Sequence, residues 1–419
     1  MGFDQRMSLR NTPAVFASIV MMVFSTVSCQ PAAPPPEPVV LQFAYPNIDN
    51  EFYTRLADVF HDEYPYVTIE LTPQSWDMLG GINPQDADVF VTSQFALGDL
   101  LKRNWVLDLT PFIEEDTQFD RDDFHPGVLD MYARDGKMWA IPSGLDLMVM
   151  YYNQDLFDSF EVAYPEIDWT WEDFLDRALQ LTDLDAGVFG YGPDYDVFDP
   201  MLFIYQGGGK IFDDLQNPTR TTFDEPENIE ALNWYMNLIR GYNVAPTPQQ
   251  ARELFGSGAR TNVESGVILG KIAMWMGMLS ERGGTPATPE WTMRWGAVNL
   301  PQDEESVTLA VVEGYFISEQ AENPEVCWEW VSFLSRKISQ RQIPARRSLL
   351  ESSEYHQLVG GDIVDVAAAS LEDARFLSPR LAEFEQIFPI FGRAFEAILA
   401  ERATVEEALV QAQQMSPYR

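Results

Sequence analysis

Cysteine, histidine, positive charge and long apolar runs are all scarce in this 419-residue sequence. Two cysteines, Cys29 and Cys327, are too few for a disulfide framework. Cys327 lies in a helical pattern among Val326, Trp328 and Trp330 and reads as a small buried hydrophobe. His61, His125 and His356 stand apart from one another and from any cysteine pair, so zinc chemistry has no ligand set. Lys and Arg number 27 against 65 Asp and Glu, a net charge of −38. So acidic a chain lacks the basic stripe that phosphate backbones require, which argues against nucleic acid as a partner. Catalytic signatures are also missing. There is no G-x-S-x-G elbow. The stretch Gly207-Gly208-Gly209-Lys210 has Ile204 and Ile211 where a phosphate loop needs Gly and Ser or Thr. Asp183, Asp185, Asp194, Asp196 and Asp199 crowd one region without the spacing of an EF-hand. Neither a metal nor a cofactor is expected.

What is present is globular: 46% of residues are apolar and 22% charged, over a length that suits two domains. The N-terminus has the three regions of an export signal. Arg6 and Arg10 supply positive charge, Ala14 to Phe24 is an apolar run, and Ser25-Thr26-Val27-Ser28 leads into Cys29. The run, 11 residues, is far short of the roughly 20 that span a bilayer. Small residues followed by Cys resemble a lipobox, with Thr26 where Leu is usual. Residues 1–28 are therefore expected to be removed and Cys29 acylated, anchoring the chain to a membrane. Residues 29–38, which include QPAAPPPEP, form an extended Pro-rich tether. Plain export with Cys29 unmodified is the alternative.

From Val39 onward strand and helix patterns alternate. VVLQFAY (39–45), VTIELT (67–72) and Asp88–Val91 read as strands, and MVMYYN (148–153) as another. Asp49 is placed to cap a helix carrying Phe52, Leu56, Val59 and Phe60 on one face. Thr170 with Asp173 and Thr404 with Glu407 mark two further helix starts. Other helical patterns cover 227–241, 323–336 and 391–400, and the last runs over 405–414. Such alternation predicts an α/β fold with a mainly parallel sheet.

Several short motifs then occur in a fixed order. They are Asp88-Val89-Phe90 with LLKRNWVLDLTP (100–111), DGKMWAIP (135–142), YYNQDLF (151–157), TWED (170–173), QGGG (206–209), GKIAM (270–274) and IPAR (343–346). Together they resemble the family 1 extracellular solute-binding proteins, the maltose-binding-protein-like receptors of carbohydrate ABC importers. The resemblance implies a bilobal type II periplasmic-binding-protein fold with two lobes joined by three chain crossings. Lobe N is expected over 39–144 and 299–335, and lobe C over 145–298 and 336–419. It also implies an exported, non-enzymatic, monomeric receptor, lipid-anchored outside the cell membrane or periplasmic, whose partners are permease subunits.

A sugar offers edge hydroxyls and apolar faces, so its receptor needs aromatic platforms and planar polar groups. Residues just past strand ends are the candidates: Tyr45, Asn47, Gln94 and Phe95. The resemblance adds Asp146 on the first crossing, Trp275 for stacking, Glu313 with Gly314 and Tyr315, and Arg346 as the cation reaching the cleft. A mono- or oligosaccharide is the expected ligand. Glycerol 3-phosphate or another polyol keeps the fold but changes the ligand, and a secreted carbohydrate-active enzyme is the reading of a different class. A metal-ion receptor using Tyr151 and Tyr152 is a further one.

Overall fold

The alternating apolar residues of the first strand pair with the next two, and that pairing starts a sheet that runs through the whole chain. In the computed structural model residues 37–75, 86–215, 217–256, 261–284, 290–378, 380 and 387–418 are described. The leader, Cys29 and the tether up to residue 36 lie outside the described residues. Twelve strands are described: β1 (Val39–Pro46), β2 (Val67–Gln74), β3 (Val89–Ser93), β4 (Ala133–Arg134), β5 (Lys137–Met138), β6 (Ile141–Asn153), β7 (Phe189–Gly192), β8 (Ile272–Met278), β9 (Trp295–Val298), β10 (Thr308–Ile317), β11 (Ile343–Pro344) and β12 (Ala374–Phe376). Ten of them form one sheet with the order β2-β1-β3-β10-β6-β8-β7, to which β9, β11 and β12 attach.

Its outer pairs are parallel, β1 with β2 and β3 on one side and β7 with β8 on the other. The central pairs β3–β10, β10–β6 and β6–β8 are antiparallel, which corrects the expectation of a mainly parallel sheet.

Strand β6 is the longest, 13 residues, and it changes partners along its length. Ile141 to Leu147 pair with β10, whereas Met148 to Asn153 pair with β8 and β9. The sequence pattern shows only the second of these halves, because Gly144 and Asp146 interrupt the apolar run of the first. A bulge between Glu313 and Gly314 interrupts the β10–β6 ladder.

Apolar side chains gather in two cores. One holds Phe43, Phe60, Phe90, Tyr132, Phe316 and Trp330, with the fully buried, unpaired Cys327. Burial pushes the Cys327 thiol up to about 12, so it is inert. The other holds Phe157, Phe174, Tyr191, Phe203, Tyr235 and Phe395.

Helix starts are well marked by chemistry. The boxes Thr170/Asp173 and Thr404/Glu407 are both formed, and Thr247/Gln250 and Thr261/Glu264 make two more. Helices Pro226–Arg240, Pro324–Leu334, Ile387–Leu399 and Val405–Met415 lie close to the expected spans. Helix Asn50–Glu63 differs in one respect: Asp49 occupies the cap position but makes no side-chain cap bond.

Helix Trp171–Gln180 lies so close to β7 that a Cβ on Gly190 would strike the Ala178 carbonyl. Gly190→Ala is expected to destabilise the fold by at least about 1–3 kcal/mol, read as a lower urea midpoint at unchanged slope. An unchanged midpoint would show that the helix and strand part at no cost.

Candidate functional site

Where β6 changes partners, chain segments from both sides converge on a small group of charged side chains. The chain leaves β1 through a single turn, Asn47–Asp49, which delivers Asp49 to the head of the following helix. The bulge at Glu313/Gly314 re-aims Glu313 from mid-strand. Between the two carboxylates lies Arg341, on the segment leading into β11. Its Nε and Nη2 donate to Asp49 Oδ1 and Oδ2 at 2.9 and 2.8 Å. Nη2 also donates to Glu313 Oε1 and Oε2 at 3.1 and 2.9 Å. Asp49 and Glu313 are both buried, at 7% and 4% exposure.

Asp146, in mid-β6, belongs to the same group. Its Oδ1 accepts the Leu147 and Ser280 amides, both at 3.0 Å. Burial raises the Asp146 carboxyl, while Ser280, Arg341 and Arg282 pull it back without cancelling the rise. Glu313 is likewise raised, by burial first and by Asp49 and Asp146 beyond that, against the pull of Arg341. Burial on its own would lower the Arg341 guanidinium, but Glu313 and Asp49 hold it well above its ordinary value. Buried carboxylates this close to one another persist only because a guanidinium and hydrogen bonds offset their desolvation.

An aromatic wall stands beside this group. Tyr151 and Trp275 face each other across the β6–β8 pair and stack at 5.9 Å between centroids. Trp291 meets Tyr151 edge-on at 4.9 Å and Trp275 at 5.0 Å, and Trp295 closes on Trp291 at 5.7 Å. The Tyr151 hydroxyl donates to the Met278 carbonyl at 2.9 Å. Its pKa lies well above normal, through burial and then the nearby carboxylates of Asp146 and Glu281. Rings and carboxylates therefore share one neighbourhood, as polyhydroxylated ligands require. Among the described residues no group of three His, Cys, Asp or Glu could hold a metal ion.

The model of the bacterial extracellular solute-binding proteins matches residues 46–341, most of the chain. This chain belongs to that family. The solute-binding protein is 22% identical over 320 residues to the arabinooligosaccharide-binding protein of Bacillus subtilis, covering 70% of this chain and 71% of that one. It is 22% identical over 407 residues to the mannitol-binding protein of Pseudomonas aeruginosa, covering 86% and 88%. A substrate-binding protein of Listeria monocytogenes, solved with cycloalternan, superposes with a TM-score of 0.73 at 22% identity, over 90% of this chain and 98% of that chain. The fold is thus the bilobal type II periplasmic-binding-protein fold, and the family binds solutes rather than converting them.

The expected ligand contacts fall into separate places in this solute-binding protein. Asp146, Glu313 and Trp275 come together at the group described above. Tyr315 lies behind it, its hydroxyl accepting from Tyr53, and Asn47 is exposed on the turn that presents Asp49. Tyr45 is core instead: it has no exposed surface, packs on Phe43 and Tyr53, and donates to Asn50 Oδ1 at 2.7 Å. Gln94 is also fully buried and braces β10 by accepting the Val312 amide at 2.8 Å. Phe95 enters the second core. Gly314 leaves room for the Tyr132 ring, which a Cβ would meet at 2.6 Å, rather than for a ligand.

Arg346 corrects the assignment of the cleft cation. It is 4% exposed, donates to the Ser335 carbonyl at 3.1 Å, pairs with Asp123 at 3.4 Å and lies over the rings of Phe119 and Phe124. The cation at the group is Arg341, five residues earlier and just before the IPAR motif. From the sequence Asp49 reads as a helix cap and Tyr151 only as part of an alternative metal site, while Arg341 and Trp291 carry no signal. The usable signal for Asp49 was its place directly after a strand end.

Arg341→Met strands two buried carboxylates and is expected to cost about 3–5 kcal/mol. The Glu313 pKa lies above its unfolded value already and rises further without the guanidinium. A raised carboxyl stabilises the fold when protonated, so this variant regains stability as pH falls from 7 toward 5. Urea titrations at the two pH values measure this, and equal losses at both would disprove the stated electrostatic role.

Proposed function

We propose that this protein is the extracytoplasmic receptor of an ABC importer and that it holds a mono- or oligosaccharide where β6 changes partners. The observation that carries the proposal is the conjunction, at one place, of Trp275 and Trp291, backed by the fully buried Tyr151, with the Asp146, Glu313 and Asp49 carboxylates and Arg341. Rings suit the apolar C–H face of a pyranose, and carboxylates accept from pairs of ring hydroxyls. The group carries more carboxylates than guanidiniums, and Arg341 is engaged by two of them. That balance favours a neutral sugar over a phosphorylated ligand, whose own charge would meet uncompensated carboxylates. The sugar ligands of the family members described above support the same class.

The receptor works by closure. Its lobes are proposed as residues 39–144 with 299–335 and residues 145–298 with 336–419. The partner switch along β6 after Leu147 supports a division near this point. A solute gripped by both lobes favours the closed form, and the closed form is what a permease distinguishes. Acylation of Cys29 and the Pro-rich segment that follows it would keep the receptor beside its permease.

Calorimetry against neutral mono- and oligosaccharides, mannitol and a phosphorylated polyol tests the ligand class. The expected result is saturable binding of a neutral sugar, weakened at least about tenfold, or 1.4 kcal/mol, by Trp275→Ala. Preference for the phosphorylated ligand, or hydrolysis of an oligosaccharide during incubation, would overturn the reading.

A further inference from the structure

Residues 340–342 are gripped from both sides. The Arg341 side chain reaches toward the first strands of the sheet and is held there by Asp49 and Glu313. The backbone of the same segment is held from the opposite direction. Arg282 follows the turn Leu279–Glu281 that leaves β8, and β8 pairs with the second half of β6. Its Nη2 donates to the Gln340 carbonyl and, at 3.2 Å, to the Arg341 carbonyl. Gln342 then packs on the partner-switching strand so tightly that a Cβ on Gly144 would lie 2.6 Å from its Oε1. Pairing of Ile343 with Leu145 and of Pro344 with Gly144 continues this contact. Tyr355, fully buried, lies beside Arg282 and donates to the Gln342 carbonyl at 3.4 Å.

We propose that Arg282 and Arg341 act in series as a clasp that sets the angle between the two halves, and thereby the affinity for the solute. Arg282 needs no contact with the solute: it is a positioning residue that acts through Arg341. The inference rests on the reading of this chain as a receptor that closes over its ligand. The physical route is population. Apparent affinity equals intrinsic affinity scaled by the fraction of molecules in the binding-competent arrangement. Releasing one end of the clasp lets the halves sample wider angles and lowers that fraction. Arg282 bonds carbonyls, so its removal leaves ordinary backbone acceptors that water can satisfy. Removal of Arg341 strands buried charge, which is why Arg282 is the better site for the test.

The experiment is small-angle X-ray scattering of the ligand-free protein, paired with calorimetry on the sugar that the parent binds. Arg282→Met is expected to keep its circular dichroism spectrum and thermal midpoint, to show a larger radius of gyration without ligand, and to bind roughly tenfold more weakly. Arg282→Lys, which retains one donor, is expected to fall between the two. Arg341→Lys should weaken binding as well, and combining it with Arg282→Met should add less than its separate effect, because two links in series break once. An unchanged radius of gyration in Arg282→Met overturns the clasp. Weaker binding at constant dimensions would instead make Arg282 a ligand contact, and fully additive losses would make the two arginines independent. If no sugar binds the parent, the receptor reading fails, and the ligand-free scattering still decides the clasp.

Discussion

One guanidinium between two buried carboxylates is the constraint around which the centre of this molecule is arranged. Asp49 comes from the turn after β1 and Glu313 from β10, and Asp146 adds a third carboxylate from the strand next to β10. Removed from water and left to themselves, such groups would repel each other and take up protons. Arg341 makes the arrangement tenable, and several otherwise odd details serve it. The bulge in β10 turns Glu313 toward the guanidinium. Asp49 gives up the capping bond that its position offers. The segment carrying Arg341 lies flat on β6 because Gly144 has no side chain to hold it off.

Beside this charged group the aromatic residues form a wall with few polar atoms of its own. The Tyr151 hydroxyl is spoken for by a backbone carbonyl, and its ring is fully buried behind Trp275 and Trp291. Carboxylates and amides gather beside it, so rings and charges occupy separate positions. Ring positions and polar positions can thus change independently on one fold.

The fold was largely legible in the sequence because its signals are local. Thr170 with Asp173 and Thr404 with Glu407 announce helices within four residues, and the strands at 39–46 and 67–74 alternate or run apolar as buried strands do. The parallel-sheet expectation failed because strand direction in the middle of the sheet is set by long connections that leave no local trace. The site was less legible for the same reason. Asp146, Glu313 and Trp275 stand out as candidates through their motifs, yet Arg341 meets Asp49 across a separation of 292 residues. Arg346 was the more conspicuous cation, within a recognisable motif, and its neighbours Phe119, Phe124 and Asp123 lie more than 220 residues away. No spacing rule reveals which of two nearby arginines folds inward.

Strand β6 has a consequence for how the molecule comes apart. Two cores usually imply two melting units, each able to lose structure while the other persists. Here a single uninterrupted strand lines both: Leu145, Leu147, Val149 and Tyr151 enter one core, and Met150 and Tyr152 on its other face enter the second. Melting either core alone would strip one face of β6, and of β8 and β10 beside it, leaving the apolar side chains of that face in water. The two cores are therefore expected to be lost together, with heat or denaturant meeting one cooperative unit where the count of cores suggests two.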